Sequence, residues 1–556
     1  MLLPKLCGGD IELANFIVGL RDTGDTGREA ARALLRQVNG VPLVSKRHAF
    51  DCGCTECRPD QDLRVSWGDG LGYGRWAGAR SNVIVYDPQD IGRRFLVENG
   101  GCIYIDLNHL EICLPEVLSA EDHLAAWHAM LALARQAQVA AAAELPQGQE
   151  LHVLVNNSDS LGHSYGSHLN FLVTRTAWDN LFRRKLHHLL FLASYQVSSI
   201  VFTGAGKVGA ENGAPAVDFQ ISQRSDFFET LTSEMTTFRR PLVNSRDEAL
   251  CGRSQPAAPR EPADVMARLH CIFFDSNLQH VAHLLKVGVM QMILTLVEAE
   301  EVDTSLVLDD PLDAVLRWSH DPGLSATART TDGRQLTAVE LQFRFLEKAA
   351  AFAERGGFDG IVPDHANILK LWEDTLAKLQ ARDLDALARR LDWVLKERVL
   401  RQAMDSRPGL TWDSPAIRHL DQIYGSLDPE QGLFWACQRA GKVDRLVPDE
   451  RIQQLTDNPP EDTRAWTRAM LLRRAGADRV DDVDWDRVRI RSAHGGYRTV
   501  DLPSPLDFGR AVTEDLFRRC GSLEEILDGL GALESTATRG TGWPLAPIAP
   551  GSSSIS

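Results

Sequence analysis

The stretch NNSDSLGHSYGSHLNFLVTR, Asn156–Arg175, decides how this chain is read. On either side of it LHVLVNN and NFLVTR have the apolar, β-branched character of strands. Between them Asn156, Asn157, Asp159, His163, Tyr165, His168 and Asn170 crowd together around Gly162 and Gly166. Polar side chains at a strand junction need partners if they are buried, so the junction points to a ligand-lined surface.

Working outward, carboxylates recur on other strand-like pieces. In GGDIEL, Asp10 and Glu12 stand at i and i+2 and share one face of a strand. In IYIDLNHLEICLPE, Tyr104 and Asp106 do the same, and His109, Glu111 and Glu116 follow closely. Several acids on one sheet face are costly unless cations sit among them, and hard oxygen ligands in number suit Mg²⁺ better than zinc. The alternative is a solvated sheet face with surface acids. The basic counterparts are FQISQRSDFF and PLVNSRDEAL, where Arg224 and Arg246 lie among strand-like residues and a shared anion such as phosphate would relieve both. TGAGKVG, Thr203–Gly209, has the look of a phosphate loop but lacks the Gly-x4-Gly-Lys-Ser/Thr spacing, so Lys207 reads as a loop or substrate contact.

Composition narrows the class. The chain has 556 residues, 44% of them hydrophobic and 24% charged, as in a soluble globular protein of more than one domain. No apolar run reaches the roughly 18 residues of a membrane span, and the N-terminus lacks a signal peptide's apolar core, so a cytoplasmic protein with no membrane partner is expected. A formal net charge of -16 argues against a nucleic-acid partner. Ten cysteines, unevenly spaced, read as reduced thiols. One cluster differs: in KRHAFDCGCTECRPD, His48, Cys52, Cys54 and Cys57 could supply four ligands to a structural Zn²⁺, the alternative being free thiols in a loop.

Helical spacing is expected from Ala120 to before Pro146, and again over Val281–Val302, Val339–Arg355 and Ala366–Met404, covering one face of the sheet. The domain reading is a large catalytic domain over 1–425 with an inserted loop at about 41–80, a small C-terminal domain over 426–532, and a Gly, Pro and Ser-rich disordered tail over 533–556.

Taken in order, NNSDSLGHSYGSHLNFLVTR, GAGKV, ISQR, NSRDE, LHCIFFDSNLQHVAHLLKVG, GLFWACQRAGKVDRLV and NPPEDTRA resemble the Pup ligase and depupylase family, the proteasome accessory factors, from near residue 8 to about residue 490. The resemblance implies an α+β fold. A curved antiparallel sheet, similar to that of glutamine synthetase, would cradle ATP and Mg²⁺ with helices behind it and a small C-terminal domain beside it. It implies action on the side chain of the C-terminal Glu or Gln of Pup, a small disordered modifier, or of a Pup-like peptide. The reaction would be isopeptide cleavage or deamidation, or isopeptide formation through phosphoryl transfer to the carboxylate.

By motif, the resemblance makes Asp10 and Glu12 the paired acids of the first strand and Asp106 the base or nucleophile, with Tyr104 beside it. Glu111 and Glu116 become downstream metal acids, and His168 and Asn170 face metal and phosphates. Arg224 and Arg246 would meet the phosphates and Arg464 the nucleotide. The chain departs from the family pattern at Asp10-Ile-Glu12 (Glu-x-Glu), His168-Leu169-Asn170 (His-Glu-Asn), His109-Leu110-Glu111-Ile112 (His-Pro-Glu-Tyr) and Arg246-Asp247-Glu248-Ala249-Leu250 (Arg-Asp-Glu-Pro-His). These changes suggest a divergent branch, or a catalytically weakened scaffold that binds nucleotide or modifier. The room for an insertion between Glu12 and Asp106 resembles the depupylases, whereas LDWVLKERVLRQ looks closer to the ligases.

Overall fold

A computed structural model of the chain describes residues 2–20, 26–39, 41–42, 93–251, 266–493 and 495–537. The Cys/His cluster expected to bind zinc lies outside the described residues, as do the strand expected at 82–87 and residues 538–556 of the tail. The class is α+β. Eight strands form the main sheet: β1 (Cys7–Val18), β2 (Val41–Pro42), β3 (Arg94–Phe95), β4 (Cys102–Asp106), β5 (His109–Cys113), β6 (Glu150–Leu154), β7 (Ser167–Thr174) and β8 (Met266–Cys271). Their order is β8-β7-β1-β5-β4-β3-β2, with β6 pairing the second half of β1, and every pair is antiparallel.

Period-two alternation gives this sheet two unlike faces. Cys7, Ile11 and Leu13 of β1, Ile103 of β4, Leu110 and Ile112 of β5, Leu169 and Phe171 of β7 and Leu269 of β8 all point one way into the largest hydrophobic core. Helices α1 (Thr26–Arg36), α2 (Ala120–Ala143), α3 (Leu186–Thr203) and α4 (His280–Glu298) contribute to that same core. Ser119 caps α2, its hydroxyl accepting from the Asp122 amide at 2.9 Å, and Glu121 and Asp122 complement the dipole of the first turn. Among the described residues α4 is long and apolar enough to cross a membrane, yet 94% of that window is buried. A helix apolar on all sides belongs in a core, and α4 is one.

The opposite face carries Asp10 and Glu12 of β1, Tyr104 and Asp106 of β4, His109 and Glu111 of β5, His168 and Asn170 of β7, and Arg268 and His270 of β8. A second core closes one end of it. Leu471, Val483, Val488, Ile490, Leu502, Ile526 and Leu530 pack with Phe95, Cys102, Tyr104 and Cys113 of the sheet. This smaller unit holds α5 (Arg464–Ala475), a three-stranded sheet over 480–501 and two further helices, the last running to Ala537. Leu427, Phe434, Val447 and Leu455 belong to the large core, so the change of core falls near α5 and not at 426.

Candidate active site

Register brings the acids together. Glu12 stands opposite Glu111, and Glu111 opposite Tyr104, so Asp106 arrives two residues further along the same face. One oxygen from each of Glu12, Asp106 and Glu111 lies within 4.8 Å of the other two. Burial pushes the Glu111 carboxyl well above the usual range, and the neighbouring charges of Asp10, Asp106 and Glu12 add to it. Three oxygens so placed match the ligand preference of a hard divalent cation, whose charge would offset their repulsion. Tyr104 is buried beside them, and the Arg93 guanidinium lies 4.6 Å from the centre of its ring.

Next along the face a tight network fixes β1 to β7 and β8. Asp10 and His168 are cross-strand partners, with His168 Nδ1 at 2.6 Å from Asp10 Oδ1, while Asn170 Nδ2 donates to Asp10 Oδ2 at 2.9 Å. Burial works to raise the Asp10 carboxyl, but His168, His270 and Asn170 together hold it well below the ordinary range. Both Asp10 oxygens are therefore engaged by protein groups, and Asp10, expected among the metal acids, is not one of the three carboxylates that converge. Its place is behind His168, where a carboxylate fixes the orientation of the ring. Gly166 permits this arrangement: a Cβ there would sit 2.6 Å from the His168 ring and 3.1 Å from Glu12 Oε1. Its amide donates to Glu12 Oε2 at 2.8 Å.

Two residues of this network were not anticipated from the sequence. Arg268 Nη1 donates to Asn170 Oδ1 at 2.8 Å, and His270 Nδ1 lies 2.9 Å from that oxygen. The signal was there, since Arg268 and His270 stand at i and i+2 in MARLHC, the same spacing that exposed Asp10 and Glu12. Arg246 lies near enough to Arg268 and His270 to depress both, and its guanidinium makes no ion pair among the described residues.

Other expected roles shift. Arg224 is 1% exposed and donates to the carbonyls of Tyr165 and Ile272, the latter at 2.9 Å. Burial and the nearby Arg240 lower it to about 10. It braces the Ser164–Tyr165 backbone and is not presented to a phosphate. Arg240, also missed in the sequence, donates to Ser164 O at 3.0 Å and is within reach of the Glu12 charge. Glu116 is apart from the carboxylate trio: Arg464 Nε reaches its Oε1 at 2.8 Å and Arg468 Nη2 its Oε2 at 2.6 Å. Arg464 spends its remaining donors on Leu502 O and Leu250 O. This pair joins α5 to the end of β5, in place of the metal and nucleotide roles expected of it. Lys207 is likewise captured, by Glu211 at 2.8 Å and Asp226 at 3.0 Å, so Thr203–Gly209 is no phosphate loop.

The polar stretch at 156–170 divides in two. Asn157 is buried, donating to Ser276 Oγ at 3.1 Å and to Tyr165 O at 3.2 Å and accepting from the Ser276 amide at 2.6 Å. Asn156 donates to Gln422, and Asp159 accepts from the amides of Leu161 and His163. These residues build the loop. His168 and Asn170 face the acids.

Comparison with known proteins identifies the family. The model of the Pup-ligase protein family matches residues 46–489. The chain is 34% identical to a depupylase of Acidothermus cellulolyticus over 450 residues, 80% of this chain and 84% of the relative. It is 36% identical to a Pup–protein ligase of Acidimicrobium ferrooxidans over 481 residues, 85% of this chain and 96% of the relative. The solved structure of the ligase PafA in complex with the prokaryotic ubiquitin-like protein Pup shares the fold, with a TM-score of 0.72 at 22% identity over 96% of this chain and 94% of that one. PafA in complex with ADP gives 0.65 at 25% identity, over 80% and 91%. The family match over 46–489 and these relatives show that the chain belongs to the Pup ligase and depupylase family and is an enzyme of its ATP-dependent carboxylate–amine ligase type.

Proposed function

We propose that this enzyme uses ATP and Mg²⁺ to act on the side chain at the C-terminal Glu or Gln of Pup or a Pup-like modifier, in the hydrolytic direction, cleaving Pup–protein isopeptides and deamidating a terminal Gln in the cytoplasm. The observation that carries the reading is the Glu12–Asp106–Glu111 trio, with Arg246 near Arg268 and His270 and without an ion pair among the described residues. Glu12 and Glu111 would hold Mg²⁺, with the imidazole of His168 beside Glu12, and the bound ion would neutralise phosphate charge there. Asp106 would serve as base or nucleophile toward the modifier's terminal side chain, with Tyr104 next to it. Arg246 would hold the anion, while Arg268, which pairs with Glu248 at 3.3 Å and donates to Asn170, would position Asn170 and His270. Fixed donors of this kind cost no reorganisation during reaction.

A second reading is ligation. It is favoured by the 36% identity with a Pup–protein ligase across 96% of that relative. The scaffold reading loses its first support, because Leu169 faces the helices and not the acids.

The test is incubation of the purified chain with ATP and MgCl₂ and one of three substrates: a Pup–protein conjugate, Pup ending in Gln, or Pup ending in Glu with a lysine-bearing acceptor. Intact mass follows the products. Release of free Pup and conversion of terminal Gln to Glu are expected. New conjugate without either would establish the ligase reading, and silence with all three would defeat both.

A further inference from the structure

Asn15 sits on the helix-facing side of β1, 4% exposed, between the apolar Leu13 and Ile17. A buried amide in such a place costs stability unless it is fully hydrogen-bonded, and this one is. Its Oδ1 accepts from the Leu110 amide at 2.7 Å, and its Nδ2 donates to Asn108 O at 3.1 Å and to Gly27 O at 2.8 Å. The backbone pairing of β1 with β5 ends at Leu13 and Leu110, so the Asn15 side chain continues the ladder where the main chains stop.

What it holds is the turn that carries Asp106. Asp106 pairs with His109, and the two residues between them, Leu107 and Asn108, have φ of 44° and 74°. A two-residue turn with both φ positive suits Asn and Gly. For leucine it is strained, and Leu107 is 48% exposed, so burial does little to offset the strain. The turn needs an external hold, and Asn108 O, in the same turn, is bonded to Asn15.

We infer that Asn15 is a positioning residue for Asp106: by tying Asn108 and Leu110 to β1 and to the start of α1, it keeps the hairpin where the Asp106 carboxylate meets Glu12 and Glu111. This rests on the reading of Asp106 given above. The hold acts from the helix side of the sheet, so Asn15 touches neither nucleotide nor modifier.

The test uses the full chain and the variants Asn15→Ala and Asn15→Ser, each alone and with Leu107→Gly, beside Leu107→Gly and Asp106→Asn. Far-UV circular dichroism checks the fold, and where Asn15→Ala unfolds, the milder Asn15→Ser decides. Two readouts are taken: ATP-dependent turnover of Pup ending in Gln, resolved into kcat and KM, and Mn²⁺ affinity by electron paramagnetic resonance. The Asn15 variants are expected to lose about 100-fold in kcat with little change in KM for ATP. They should bind Mn²⁺ about 10-fold more weakly. Leu107→Gly, which removes the strain, should restore much of both. Wild-type kcat and Mn²⁺ affinity in Asn15→Ser, or a loss that Leu107→Gly fails to relieve, would overturn the inference. Full activity in Asp106→Asn would instead defeat the functional reading, while the Mn²⁺ measurement still judges Asn15.

Discussion

Asp10 Oδ1 lies 2.6 Å from Nδ1 of His168, its cross-strand partner, so the carboxylate orients the ring and the ring's other edge lies at Gly166 beside Glu12. Asp10→Ala is therefore expected to weaken Mg–ATP binding about 10- to 100-fold by letting His168 turn. Asp10→Glu keeps the charge and should lose less. Isothermal titration with Mg–ATP checks this, and unchanged affinity in Asp10→Ala would show that the pair does not support the site.

The carboxylate trio makes the cation-free protein carry its own repulsion. Glu111 is 4% exposed and is pushed upward by burial and by three neighbouring acids. Glu111→Gln spares the fold the cost of burying that carboxyl among other acids, whether it stays charged or takes up a proton, and so should raise the melting temperature in EDTA. The same change should abolish the stabilisation that MgCl₂ gives to the wild-type chain, since ligand binding stabilises only where the site is intact. Scans with and without Mg²⁺ report both effects. A Glu111→Gln protein that melts earlier in EDTA and is still protected by Mg²⁺ would place the ion elsewhere.

Glu116 shows the reverse balance. Burial works to raise it, but Arg468 and Arg464 hold it at about 2, below the ~4.3 of an unfolded glutamate. A depressed folded value stabilises above the unfolded one, and that contribution is lost as pH falls from about 4 toward about 2. Because the pair joins α5 to the sheet, the C-terminal unit should loosen first on acidification. Glu116→Gln should bring that loosening to neutral pH, at a cost of ~3–5 kcal/mol for leaving buried arginines uncompensated. Amide exchange in α5 against pH measures it, and an acid transition in the wild type that Glu116→Gln leaves unmoved would refute the assignment.

How much of this was legible in the sequence follows from what each signal depends on. Strand alternation is local, so Asp10 with Glu12 and Tyr104 with Asp106 could be placed on shared faces from spacing alone, whereas the facing of His168 and Asn170 came from the family resemblance. Partner choice is not local. Nothing near Glu116 tells of Arg464 and Arg468, which arrive 348 and 352 residues later. Lys207 likewise looked available until the fold supplied Asp226. Arg268 and His270 had the right spacing, but an edge strand with one arginine and one histidine carries a weaker signal than paired acids. Asn15 was invisible for another reason: a lone asparagine in an apolar strand has meaning only once the turn opposite it is known.

Leu169 gives the sharpest test of that reading. Set between His168 and Asn170 it counted among the departures that suggested a weakened scaffold, yet alternation turns it to the other face. There it is 1% exposed and packs with Phe171 and Ile11 in the large core. Replacing it by glutamate, as the family pattern has it, should not restore a contact at the acids. Leu169→Glu buries an unpaired carboxylate against apolar helices, with an expected loss of ~3–5 kcal/mol. Urea unfolding beside ATP turnover distinguishes the cases. If the variant keeps its stability and gains activity, the side chain at 169 reaches the cradle after all. If it unfolds early with no gain, the departure from the family pattern belongs to the packing of the sheet on its helices and leaves the chemistry of the opposite face intact.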